Sequence, residues 1–307
     1  MASLLQRAKA LLETPPRDES LEFDSRYHDA KVFELCIALA VAVAFPIYRM
    51  LADRLVFKPF GCWALGIREP SKASEEEKKT LSKFMESAYK ASVQLFLSCL
   101  LATVLVSNRA WVVDTRLCWS ECMRLPCLAP VAWMEQVVYL VEFGFYTQAV
   151  PMLFLWETRR KDWPETLAHH LVTIALIGYS YYLNILRIGI LVLACHEAND
   201  FFMEVAKMAH YARCPRWIVS SMLFSFVASW FATRVLAFPL VVIRSTLTET
   251  YFFANYHNVS IEPHYTILNA FLIFLYALHL YWTYLILRIV YREIKTGDAE
   301  DVREKDE

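Results

Sequence analysis

The stretch Trp156–Tyr211 reads WETRRKDWPETLAHHLVTIALIGYSYYLNILRIGILVLACHEANDFFMEVAKMAHY, and it places a His-His pair, a His-Glu pair and an Asp inside apolar runs. In hydrocarbon each such group costs roughly 3 kcal/mol or more unless it is paired or used. The runs at about 165–182 and 183–208 are each long enough to cross a hydrocarbon core of about 30 Å. The polar break from Ser180 to Asn184 allows only a tight hairpin, so the two helices run antiparallel. His169 lies fourteen residues before Leu183 and Glu197 fourteen after it, about 21 Å along each helix at about 1.5 Å per residue. His169, His170, His196 and Glu197 therefore sit at one depth. Asp200 follows His196 at i+4, on the same helix face and one turn nearer the loop with Arg159, Arg160 and Lys161.

A polar cluster of this kind can hold a helix bundle together without reacting. Four ionisable groups levelled by two independent helices, with basic residues at the wet end, point instead to a reactive site, with His169, His170, His196, Glu197 and Asp200 as the catalytic candidates. A metal centre fits less well and no metal is expected. The chain has eight His, three of them on this hairpin, whereas membrane di-iron oxidases repeat His-rich boxes.

The remaining composition agrees with an all-α membrane protein. Of 307 residues, 57% are hydrophobic and 15% aromatic, above the usual share for a soluble domain. Besides the hairpin, long apolar segments occur at about 31–51, 85–106, 131–155, 217–243 and 266–291. With the hairpin they make seven spans, so the termini lie on opposite sides. Lys and Arg number nineteen in the loops of one side and ten on the other. The positive-inside rule puts the first set, with the tail and the Arg159–Lys161 loop, in the cytosol, and the N-terminus in the lumen. The sequon Asn258-Val259-Ser260 and the trio Cys118, Cys122 and Cys127 then fall on the luminal side, where glycosylation and a disulfide are chemically possible. In the third span Glu142 and Tyr146 face each other at i,i+4. Arg234, alone in its apolar span, is expected to snorkel to the far interface, and the lone His279 to be structural.

From Arg159 to Tyr211 the chain resembles the Lag motif of TLC-domain ceramide synthases. The matching residues are Arg160, Lys161, Asp162, His169, His170, Ser180, Tyr181, Asn184, Arg187, Gly189, His196, Glu197, Asp200, Glu204, Lys207 and Met208. KFMESAYK at the second span, TRLCW (Thr115–Trp119), VEFGFY and LHLYW near the end are similar to the family too. The family's usual Asp after the last His is Glu197 here. The connector is too short for the homeobox-like domain of some animal members, and with the WETRR loop this leans toward plant or algal ones. The resemblance implies a luminal segment 1–31, a first transmembrane helix 32–51, a cytosolic connector 52–83, a TLC domain 84–292 of six transmembrane helices in a barrel or bundle, and a cytosolic acidic tail 293–307.

It also implies an activity: transfer of a fatty acyl group from acyl-CoA to the amine of a sphingoid long-chain base, in the endoplasmic reticulum membrane. Acyl-CoA enters as co-substrate with no further cofactor. The partners are these two substrates and membrane lipids, with homo- or hetero-dimers possible and no nucleic acid. Substrate-binding candidates are Arg159, Arg160, Lys161 and Lys207 for the CoA phosphates, with Ser180, Tyr181, Asn184, Arg187, Glu142 and Tyr146 along the lipid path. One of His169 and His170 attacks the thioester or acts as general base, and Asp200 orients an imidazole. The alternative is a TLC-fold lipid carrier or sensor without catalysis.

Overall fold

The computed structural model describes residues 25–120, 122, 125–127 and 131–296. Most of the expected N-terminal segment and the acidic tail from 297 onward lie outside the described residues. Every regular element among the described residues is helical.

The first helix, α1 (Ser25–Ala52), does not stop where the sequence predicts. It passes through one π turn, Asp53–Phe57, into α2 (Lys58–Ala64). The connector is further shortened by α3 (Glu75–Ser107), which begins well before the expected span because Ser74 caps it. The Glu77 amide donates to Ser74 Oγ at 3.2 Å, and the Ser74 amide donates back to Glu77 Oε2 at 2.8 Å. Glu75, Glu76 and Glu77 add favourable charge to the positive helix end.

The hairpin forms as expected from α5 (Trp163–Tyr182) and α6 (Leu186–Tyr211), preceded by α4 (Trp133–Leu155). Pro164 sits in the first turn of α5, where a missing N–H costs nothing. Asn184 makes the turn with φ 58°, and its Nδ2 donates to the Cys127 carbonyl at 2.7 Å.

After α7 (Arg216–Trp230) comes the main departure. Phe231–Ile243 and Ser245–Glu249 are π-helical, and the rod continues as α8 (Thr250–His257). The polar loop expected after Ile243 is thus helix as far as His257, ended by left-handed Asn258. Pro239 lies inside the π segment; it has no N–H to give, and the ladder there runs at the wider spacing. The last helix is α9 (His264–Thr296).

Contacts run α3–α4–α5–α9–π segment–α6–α3, which closes a ring of six helices. α1 packs outside this ring on α4, where a side chain at Gly144 would lie 2.7 Å from the Ala38 carbonyl. Tyr139, Ile190, Phe238, Leu97 and Leu275 fill the interior. Among the described residues, five helices are long and apolar enough to cross a membrane: Cys36–Ala64, Glu75–Ser107, Trp133–Leu155, Arg216–His257 and His264–Thr296. The hairpin helices are not among these; they carry the His, Glu, Asp and Arg side chains that make the site.

Candidate active site

The geometry brings the predicted imidazoles together. The His169 ring lies 5.6 Å from His170 and 5.8 Å from His196, the latter in a stacked arrangement. A fourth imidazole joins them. His279 on α9, expected to be structural, is fully buried, with Nε2 3.0 Å from His196 Nε2. His196 Nδ1 lies 2.6 Å from the Val192 carbonyl. A carbonyl only accepts, so in the neutral ring Nδ1 carries the hydrogen and His279 Nε2 donates to the bare Nε2. Both nitrogens of His196 are therefore engaged within the protein. The Nδ1 atoms of His169 and His170 have no hydrogen-bond partner.

Two carboxylates take places that the sequence reading did not give them. Asp200 orients no imidazole: its Oδ1 accepts from Arg234 Nη2 at 2.5 Å. The same Nη2 donates to the His196 carbonyl at 3.0 Å, and the guanidinium lies over Trp230 at 4.6 Å. Arg234 is 4% exposed, so it pairs inside the ring and does not snorkel outward. Glu197, fully buried, accepts from the Tyr146 hydroxyl at 2.9 Å. Tyr146 is thereby turned from Glu142, whose two oxygens have no partner, and its ring packs 5.9 Å from His170 and 6.3 Å from His169. Trp282 closes the other side, 5.5 Å from His169, with its Nε1 donating to Asp162 at 3.0 Å.

This layer separates two cavities. One, of about 570 Å³, reaches the end that carries the basic loop and is lined by His169, His170, Asp200, Arg234, Arg160 and Lys207. The other, of about 100 Å³, is apolar; Tyr146 and His196 lie on its wall at one end and Trp119, Cys122 and Leu125 at the other. Tyr146 lines both.

Lys90, Arg160 and Lys207 around the larger cavity are held by acids. Glu86 takes Lys90 at 3.1 Å, Arg160 at 3.7 Å and the Thr158 amide and hydroxyl at 3.1 and 2.9 Å. Lys90 also reaches Glu157 at 2.7 Å, and Lys207 pairs with Glu204 at 2.8 Å. Arg159 lies over Trp163 at 4.8 Å. Arg159 and Lys161 do not line the cavity, whereas Arg213 does.

Of the residues predicted along the lipid path, Ser180 lines the apolar cavity. Its hydroxyl lies 3.0 Å from Tyr139 Oη. Tyr146 lines that cavity too, whereas Tyr181, Asn184 and Arg187 hold the frame. Tyr181 bonds to Glu34 of α1, Asn184 to Cys127 as described, and Arg187 Nη1 donates to the Leu117 carbonyl at 3.1 Å. At the same end Cys122 and Cys127 form a disulfide. Cys118 is a free thiol that burial pushes up to about 12. Thr115 Oγ1 donates to Glu249 at 2.8 Å and Trp119 Nε1 to Ser245 at 2.9 Å, so TRLCW clamps the loop onto the end of the long rod. The Arg116 guanidinium bonded to Asp114 holds that carboxyl below its usual range. Asn258 is exposed beyond α8.

Comparison with known proteins gives one consistent result. Residues 83–288 match the family model of the TLC domain shared by TRAM, LAG1 and CLN8 proteins. ASC1-like protein 1 of Oryza sativa subsp. japonica is 35% identical over 87% of each chain. Ceramide synthase 1 LOH3 of Arabidopsis thaliana is 32% identical over 92% of each. Ceramide synthase hyl-1 of Caenorhabditis elegans is 32% identical over 72% of this chain and 60% of its own.

Proposed function

The chain belongs to the TLC-domain family and is an acyltransferase of its ceramide synthase kind; from that premise we propose that it moves a fatty acyl group from acyl-CoA onto the amine of a sphingoid long-chain base. The observation that carries the reading is the pair His169 and His170, with Nδ1 atoms free of hydrogen-bond partners, on the wall of a cavity that opens at the basic end and lies across Tyr146 from an apolar one. That layout suits a thioester with a charged, hydrated head and a long apolar chain. The phosphates of CoA stay among Arg160, Lys207 and Arg213, where fork-like guanidiniums bind them best. The acyl chain crosses the imidazole layer into the apolar cavity, and the thioester carbon stops at His169 and His170.

Transfer proceeds in two steps. One of the two imidazoles displaces CoA thiolate to give an acyl-imidazole, and the amine then takes the acyl group. Adjacent helical residues differ by about 100° in direction, so one of the pair attacks while the other serves as neighbour or base. His196, with both nitrogens engaged, acts through His279 and not on the substrate.

The protein is a multi-pass membrane protein. We place it in the endoplasmic reticulum, with the basic end toward the cytosol and the disulfide end and Asn258 toward the lumen, as the loop charges require. The test is formation of ceramide by the purified protein from labelled long-chain acyl-CoA and sphinganine. Wild type forms it, and at least one of His169→Ala and His170→Ala loses it. Retention of full activity by both, or no product from wild type while acyl-CoA or base still binds, contradicts the proposal and favours a lipid carrier.

A further inference from the structure

Both halves of the transfer pass through a tetrahedral carbon whose oxygen takes on negative charge, and in an apolar ring that charge needs a fixed positive partner. The amides near His169 and His196 are spent on their own helices, so the partner has to be a side chain. Arg234 donates to the main-chain carbonyl of His196, a residue of the imidazole cluster, and lines the cavity that holds His169 and His170. Its side-chain bonds use Nη2 alone, and Nε has no partner, although a guanidinium offers five donors. Its seat is a π-helical stretch, a wide turn that proteins often keep at functional positions.

We propose that Arg234 supplies the positive charge against which the thioester oxygen becomes an oxyanion, and that Asp200 is the counter-ion that keeps this guanidinium inside the apolar ring. The inference rests on the acyltransfer reading above. An imidazole nitrogen bonds to the carbonyl carbon while the C=O π pair moves onto oxygen, toward Arg234. When that pair returns, the C–S bond breaks; CoA leaves as thiolate and takes the proton that the imidazole loses. The amine nitrogen then bonds to the same carbon and the oxygen is charged a second time. As the C–N bond to the imidazole breaks, the amine's proton returns to the ring. Arg234 thus positions charge in both steps and exchanges no atoms.

The experiment is initial-rate kinetics on wild type, Asp200→Asn, the double variant Arg234→Gln/Asp200→Asn, and Arg234→Lys, with thermal melting of each. The double variant removes both charges and leaves no unpaired ion, so it should melt at or above Asp200→Asn, which strands the guanidinium. Its kcat should fall about 10²-fold or more below that of Asp200→Asn with KM for acyl-CoA unchanged, and Arg234→Lys, which keeps the charge but not the guanidinium fork, should lose less kcat than the double variant. Equal kcat for the double variant and Asp200→Asn would overturn the proposal, because Arg234 would then only neutralise Asp200. A loss confined to KM would overturn it too, by making Arg234 a CoA-binding residue. Should the double variant fail to fold, Arg234→Lys decides: a folded Arg234→Lys whose kcat lies about 10²-fold or more below wild type refutes a role for charge. Wild type that forms no ceramide overturns the acyltransfer reading, and the proposal with it.

Discussion

Removing Glu86 should loosen the mouth of the larger cavity, by an amount the structure lets one work out. Glu86 is 4% exposed and holds Lys90, Arg160 and both polar groups of Thr158. Breaking a buried ion pair from one side costs about 3–5 kcal/mol, because the remaining charge is stranded. Here Lys90 keeps Glu157 at 2.7 Å, so Glu86→Ala belongs at the low end, about 3 kcal/mol. For a chain of 307 residues, with an unfolding entropy of about 0.6 kcal/mol/K, that is roughly 5 °C in melting temperature. Glu86→Gln keeps an acceptor for Thr158 and should lose less. The loop freed in both carries Arg159, Arg160 and Lys161, so KM for acyl-CoA should rise while kcat changes little. The assay is melting in detergent together with acyl-CoA titration of the initial rate. Unchanged melting and unchanged KM in Glu86→Ala would refute the claim that this carboxylate holds the loop.

Gly189→Ala should destabilise by about 1–3 kcal/mol, because a methyl there overlaps the Tyr139 hydroxyl; Gly189→Ala combined with Tyr139→Phe should regain part of the loss in melting temperature. Cys122→Ser should cost about 2 kcal/mol, the chain-entropy value for so short a loop, given a separation of 5 residues between the bridged cysteines. Reductant should shift the melting of wild type, not of the variant, by a similar amount.

Much of the site was legible because helix arithmetic is rigid: fixed rise and a short turn level His169, His170, His196 and Glu197 whatever the rest of the ring does. The same reasoning stopped at one hairpin. Asp200 and Arg234 were read on separate helices, one as an imidazole partner and the other as a snorkelling cation, yet they form one ion pair. The signal was present, since an unpaired acid and an unpaired base in apolar spans each need an opposite charge. His279 was hidden for a different reason: a lone His on an apolar helix looks the same in sequence whether it packs or bonds. The rod through Thr250–His257 was missed because its Thr, Asn and aromatic residues are poor helix formers taken locally. Its burial of Phe253 and the Glu249 clamp on Thr115 are tertiary facts.

The central claim is that an imidazole of the α5 pair carries the acyl group. Intact-protein mass spectrometry on purified protein incubated with a long-chain acyl-CoA and no amine tests it directly. The account predicts a mass gain of one acyl group, absent in either His169→Ala or His170→Ala, and discharged when a sphingoid base is added. Ceramide formation with no acylated protein at any time would contradict it and leave the imidazoles as bases for direct transfer.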